Sequence, residues 1–403
     1  MTMRGTGSIP LFLWMFVAIS ACSDDGATTK PASAVQAPAA LVVVDLAAWV
    51  DPMIGTGGSG NVLPGALVPH GMVRASPDTA DAPGAIAAYH HGAAELSGFS
   101  HTHLLGPGGS NNGYSQVLVM PFVGPIAATL PAHRAPFSHD SEVASPGYYA
   151  VTLADSQVRV ELTATAHAAV HRWTFPPAQE AGLLLDLASS NGKAEESFVE
   201  RLDATTVRGW ARYNVHPLVS SLLDGSKTGD SIVYFHAVFD HSIVAAGAIG
   251  HGVVLVPDAN PAKGETVGAW LGFGAAPGVV TMRIGISLLD LGQAATNLAA
   301  EVGDDDFDAV HTRARAAWNA ALSRVKVELP SDSAVDSASA AADDATRRIF
   351  YTALWRPRGS SPSRCRKTLQ VWPKCLVVPT PWWPSSTRSS ATRRPAQTRQ
   401  AIA

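Results

Sequence analysis

The chain has 403 residues, 46% hydrophobic and 15% charged, which excludes a disordered protein and leaves room for two or three domains. The formal net charge of -4 is unevenly placed: all 33 acidic residues lie at or before Asp344, and ten of the 29 basic ones lie beyond Trp355. With cysteines at 22, 365 and 375 alone, the body can hold neither a disulfide framework nor a zinc–thiolate site.

The first element in chain order is an export signal. Arg4 is followed by the apolar run IPLFLWMFVAIS, too short for a membrane span of about 20 residues but suited to a signal-peptide core. Ile19-Ser20-Ala21-Cys22 resembles a bacterial lipobox, so residues 1–22 read as a lipoprotein signal peptide with Cys22 as the lipidated residue. Ser23 after the cysteine favours outer-membrane sorting. The expectation is an exported periplasmic or outer-membrane lipoprotein of a bacterium, held to the membrane by its N-terminal lipid. Residues 23–41 are small, polar and proline-containing, a flexible tether.

From 42 to 290 the signals are those of strands. YYAVTLADSQVRVELTATAHAAVHRWTF alternates apolar and polar positions, and AGLLLDLAS, SIVYFHAVFD, GVVLVPD, GAWLGFG and VVTMRIGISLL follow, each closed by turn residues. Many short strands predict a large antiparallel β-sandwich, so the fold class is mainly β. Between 291 and 355 the period changes. Phe307, Val310, Ala314, Ala317, Trp318, Ala321, Leu322 and Val325 mark an amphipathic helix with Asp304 to Asp306 at its positive end. A low-complexity link, SDSAVDSASAAADDAT, then precedes a helix expected to start at RRIFYTALW.

Three segments could carry chemistry. DPMIGTGGSGNVLPGALVPHGMVRASPDT holds glycines at 55, 57, 58 and 60, able to approach a ligand closely or simply to form a packed loop. It is neither a P-loop, lacking Gly-Lys-Ser/Thr, nor a dinucleotide fingerprint. In SGFSHTHLLGPGG, an extended backbone would point His101 and His103 to one face. Such a pair could be structural, could hydrogen-bond a polar ligand, or could chelate a metal with a third ligand, for which His90 and His91 are the nearby candidates. GPGGSNNGYSQVLVMP offers Asn111, Asn112 and Tyr114, amides for hydroxyls and an aromatic for a sugar face, or a structural turn.

The ordered blocks VDPMIGTGGSGNVLPGALVPHGMVRASPDT, AYHH, GFSHTHLLGPGG, QVLVMPFVG, MRIGISLL, FDAVHTRARAAWNAALSRVKVE and RRIFYTALW resemble glycoside hydrolase family 92 over residues 45 to 355. The resemblance implies a calcium-dependent, inverting exo-α-mannosidase built from an N-terminal supersandwich and a C-terminal (α/α)6 barrel, acting on mannose-containing glycans where the two domains meet. By that likeness Gly57, Gly58, Asn61, His101 and His103 shape the mannose pocket, and His101 and His103 are not metal ligands. Gly109 stands where many members have cysteine, and Asn112 lies near a common aspartate. Inverting hydrolysis needs an acid and a base about 6.5–9.5 Å apart. In the family these carboxylates and most of the calcium site belong to the barrel.

Residues 356–403 do not read as that barrel. Ala345 to the end, 59 residues, contains no Asp or Glu, and beyond Trp355 come seven prolines and three tryptophans without helical period. Pro357 would stop the preceding helix. This basic Arg/Pro/Ser/Trp tail is expected to be a disordered, frame-shifted reading, which would leave the chain without its catalytic acid and base. The competing reading is a genuine basic tail for anionic lipid; export argues against nucleic acid as a partner. The alternative function is a non-catalytic carbohydrate-binding lipoprotein.

Overall fold

The computed structural model describes residues 45–58, 60–79, 87–103, 114–124, 134–177, 179–188, 193–214, 231–250, 253–258, 260–265, 267–329, 337–356 and 376–379. Residues 1–22 and 23–41, expected to be a signal peptide and a tether, therefore lie outside the described residues, as do Asn111, Asn112 and most of the tail. The chain opens with a short 3-10 turn, Leu46–Trp49. The early strands are β1 (Ala66–Leu67), β2 (Arg74–Thr79), β3 (Glu95–Ser100), β4 (Leu118–Val123), β5 (Ala135–Pro136), β6 (Val143–Ser145), β7 (Tyr148–Thr152), β8 (Arg159–Ala164), β9 (Ala168–Thr174) and β10 (Glu180–Asp186). Then come β11 (Lys193–Arg201), β12 (Thr206–Asn214), β13 (Ser231–Phe239), β14 (Ala245–Gly250), β15 (Val253–Pro257), β16 (Ala262–Gly264), β17 (Val267–Ala275) and β18 (Val279–Ser287). The last elements are the helices α1 (Leu291–Glu301) and α2 (Phe307–Leu322), strand β19 (Val325–Glu328), helix α3 (Ser337–Trp355) and strand β20 (Leu376–Pro379).

Among the described residues two nine-stranded antiparallel sheets form the body, in line with the antiparallel sandwich that the strand pattern predicts. One runs β1-β2-β3-β4-β10-β17-β14-β15 with β5 beside β3, and the other runs β16-β11-β12-β13-β18-β9-β8-β7-β6. Alternation decides which side chains meet between them. Along β13, Val233, Phe235, Ala237 and Phe239 are buried while the residues between them are only half-buried. On neighbouring β18, Val280, Met282, Ile284 and Ile286 are buried in turn. They join Trp173, Tyr149 and Leu162 in one continuous core.

Helices α1 and α2 cover the outer face of the second sheet. Leu298 and Val302 at the end of α1, with Phe307 and Val310 of α2, pack on Ala168 and Val170 of β9. Asp290 and Asp306 cap the two helices by accepting from Gln293 N (2.7 Å) and Ala309 N (2.8 Å), satisfying donors that a helix start leaves open. The Arg172 guanidinium lies 4.2 Å over the Phe307 ring and pairs with Glu161 and Asp308. The hydrogen bond to Glu161, ahead of the opposing effect of burial, raises its pKa.

Two features depart from the sequence reading. Helix α3 begins at Ser337, inside the stretch read as a link, because its five alanines before Thr346 have the strongest helix propensity of any residue. In the tail, to which the sequence reading assigns no element, Leu376–Pro379 pairs antiparallel with Val325–Glu328.

A second core ties the helices to the start of the body: Trp318, Leu322, Tyr351 and Trp355 enclose Ala47, Val50, Leu63 and Leu67. The buried Trp318 donates its Nε1 proton to the Leu67 carbonyl at 2.6 Å. Trp318→Phe should cost about 1–3 kcal/mol by orphaning that carbonyl, and Trp318→Ala about 3–5 kcal/mol; urea unfolding monitored by circular dichroism measures both.

Candidate functional site

The glycine loop Asp51–Asn61 hangs between the sandwich and α3. Asp51 N donates to Thr352 Oγ1 (2.9 Å), and the Arg356 guanidinium donates to the Ile54 carbonyl. Inside the loop, Met53 N donates to Asp51 Oδ1 (3.0 Å) and the buried Thr56 hydroxyl donates to the Met53 carbonyl (2.8 Å). Two glycines are sterically required or favoured. A Cβ on Gly60 would stand 2.0 Å from the Gly55 carbonyl oxygen, and Gly58 has φ +58° with open space around it. Gly57 and Gly58 are exposed, and Asn61 takes the left-handed conformation at φ 49°.

The structure places His101 and His103 just after β3, with side chains 0% and 2% exposed by residue. His101 points between the sheets: Nδ1 lies 2.6 Å from the Val117 carbonyl and Nε2 lies 2.9 Å from Nε2 of His171 on β9. A carbonyl can only accept, so Nδ1 of His101 carries the proton and its Nε2 accepts from His171 Nε2–H. His171 Nδ1 is then bare, which agrees with its having no partner. Val117, whose carbonyl receives this bond, holds φ 57°, a strained conformation for a β-branched residue.

His103 occupies the side toward β2. Its Nδ1 lies 2.7 Å from the Arg74 carbonyl, and its Nε2 lies 2.7 Å from Asp78 Oδ1 and 3.0 Å from Ser100 Oγ. Serine, histidine and aspartate thus meet, but not as a nucleophilic triad. A triad sets hydroxyl and carboxylate on opposite ring nitrogens, whereas here both contact Nε2, and Ser100 is fully buried. The backbone of the same turn is pinned by Arg74 Nη1 to the His103 carbonyl (2.8 Å) and Arg74 N to the His101 carbonyl (2.9 Å). Both histidines therefore fix the backbone of the turn that ends at His103, and Tyr114 is exposed.

Sequence reasoning missed a third group. Glu142, in FSHDSE before β6, is enclosed and accepts from Tyr149 Oη (2.6 Å), Tyr89 Oη (3.0 Å) and His139 Nδ1 (2.5 Å). Burial first, then the Glu142 charge, raises the pKa of both phenols and keeps them donors. His91 stacks on His139 with ring centroids 4.0 Å apart. The histidines at 139 and 91 are 48 positions apart, so no spacing rule could join them. Among the described residues, His91, His139 and Glu142 are the one set of three such donors close enough to share a metal. Two imidazoles and one carboxylate do not suit calcium, which takes six to eight oxygens.

Residues 49–287 match the glycosyl hydrolase family 92 N-terminal domain, and residues 293–366 match the glycosyl hydrolase family 92 catalytic domain. The chain belongs to glycosyl hydrolase family 92. Its fold is similar to that of a family 92 alpha-mannosidase from Bacteroides thetaiotaomicron (TM-score 0.66, 26% identity), over 77% of this chain and 40% of that one. A second family 92 glycosyl hydrolase structure is 30% identical with TM-score 0.65 and the same coverage. An uncharacterized secreted glycosidase of Arthroderma benhamiae is 26% identical over 77% of this chain and 41% of its own length. The family 92 chain thus spans about two fifths of the relatives it matches.

The buried histidine pair makes stability depend on pH. Burial pushes His101 down to about 4, opposed by its bond to Val117 and reinforced by nearby His103; burial, with His101 beside it, pushes His171 well below its usual range. In the unfolded chain both rings titrate near 6.5, so between about 4 and 6.5 the unfolded state binds more protons and stability rises with pH. The contribution is complete above 6.5 and is lost as pH falls to 4, on the order of 3 kcal/mol for His101. Urea unfolding at pH 7.0 and 4.5 should show the loss, and His171→Phe, which removes one of the two rings, should reduce it.

Proposed function

We propose that this chain is the sandwich portion of an exported, inverting α-mannosidase that removes terminal mannose from glycans, with its acid, base and calcium ligands supplied by a catalytic barrel. The observation that carries the reading is the hydrogen bond from Asp51 N, at the start of the glycine loop, to Thr352 Oγ1 at 2.9 Å. Thr352 falls inside the catalytic-domain match, so the loop touches a residue of that matched segment. A structure of the Bacteroides enzyme with mannoimidazole supports a mannose-like substrate, and the secreted relative supports export.

In this reading Gly57, Gly58 and Asn61 border the sugar and leave room for it to approach the backbone. His101 and His103, buried as they are, act as positioning residues. They hold the turn that follows β3, ending at His103. The described carboxylates Asp78, Glu142, Glu161 and Glu301 are each bound to histidine, tyrosine or arginine. With their oxygens taken up by these partners, they are not the acid and base of this reading. Cys22 anchors the chain to a bacterial outer membrane through lipid.

The test is a chimera joining residues 1–355 to the part of the Bacteroides relative's catalytic domain that follows the position equivalent to Trp355, assayed on 4-nitrophenyl α-mannoside. Calcium-dependent hydrolysis with inversion is expected, and Gly58→Val, a β-branched residue at positive φ, should lower kcat/KM at least tenfold, about 1.4 kcal/mol. Hydrolysis by the 403-residue chain itself would overturn the placement of acid and base outside it. Mannoside binding by that chain without hydrolysis would favour the carbohydrate-binding lipoprotein.

A further inference from the structure

We propose that His91, His139 and Glu142 form a site for a divalent transition-metal ion, zinc being the probe of choice. The inference is independent of the mannosidase reading. One donor atom from each residue lies within 4.8 Å of the other two. Two imidazole nitrogens and one carboxylate oxygen match the preference of zinc for mixed nitrogen and oxygen ligands, with the fourth position left to water.

The site is built rather than scattered over a surface. The Glu142 side chain is 3% exposed, and the Tyr89 and Tyr149 hydroxyls fix its carboxylate. Outer partners of this kind orient a metal-binding carboxylate and set its affinity. His139 Nδ1 and Glu142 Oε2, 2.5 Å apart, share a proton where the metal would stand. Tetrahedral ligands at about 2.0–2.2 Å from zinc lie about 3.3 Å from each other, so the pair opens slightly as the ion enters. The ring then takes its neutral tautomer with the proton on Nε2, the Nδ1 proton being exchanged through solvent. His91 completes the set. Its ring is exposed and makes no hydrogen bond to the described residues, so it can turn toward the ion at little cost.

The position gives the site a consequence. His91 N donates to the Thr56 carbonyl at 3.1 Å, and a Cβ on Gly57 would lie 3.8 Å from the His91 Cβ. A metal held by His91 and His139 would therefore tie the turn before β3, which carries the glycine loop, to the segment before β6.

The experiment uses the full 403-residue chain in detergent, without an affinity tag and with its three cysteines alkylated so that thiolates cannot compete. Zinc is titrated calorimetrically, and cobalt(II) is used to read coordination from its visible spectrum. One zinc per chain is expected, unaffected by equimolar calcium, with cobalt absorption of the intensity typical of four-coordination. His91→Ala should weaken zinc at least tenfold, and His139→Ala should weaken it further. Metal-free circular dichroism and melting of His91→Ala should match the parent, since the ring has no described hydrogen bond to lose. Unchanged zinc affinity in both variants, or displacement of zinc by equimolar calcium, would overturn the proposal.

Discussion

The functional half of this molecule depends on how the segment after Asp45 is clamped to the helices that follow the sandwich. Asn319 accepts from Ala47 N and donates to Asp45, Arg315 pairs with Asp45, and Trp318 binds the Leu67 carbonyl. These contacts join positions some 250 to 270 residues apart. A glycine-rich loop has high conformational entropy and no core of its own. It acquires a defined shape here because both of its flanks are seated on α2 and α3. Loss of the clamp would release the loop while leaving both sheets intact.

The histidines show how tertiary packing reassigns a motif. On the page, His101 and His103 resemble a matched pair facing a ligand. In the fold they diverge, one toward the opposite sheet and the other toward β2. His101 meets His171 across the core, and the two neutral rings exchange one hydrogen bond in a closed assignment of protons. His103 meets Asp78 and the Arg74 carbonyl. Both are enclosed, so any influence they have on a sugar passes through the backbone they hold.

Glu142 illustrates the reverse case. Nothing in FSHDSE distinguishes its glutamate from a solvated one, yet two tyrosines from separate segments converge on it. Burying a carboxylate is tolerated when its oxygens are satisfied by strong donors. The same arrangement fixes the oxygen that faces His139 and His91.

The sequence by itself determined the class of fold and the family. Strand alternation depends only on side chains pointing to opposite faces, and the α2 stripe depends only on helical periodicity, so Val233 to Phe239 and Phe307 to Leu322 were legible as strand and helix. The ordered motifs from residue 45 to 355 carried the family. Tertiary structure alone decided the partners: that His101 faces His171, that Ser100 and Asp78 share one nitrogen of His103, that Thr352 and Arg356 hold the glycine loop, and that His91, His139 and Glu142 meet. Local pattern fixes the direction of a side chain relative to its own strand or helix. Which distant side chain it meets is set by sheet order and helix docking, and no spacing in the chain encodes that.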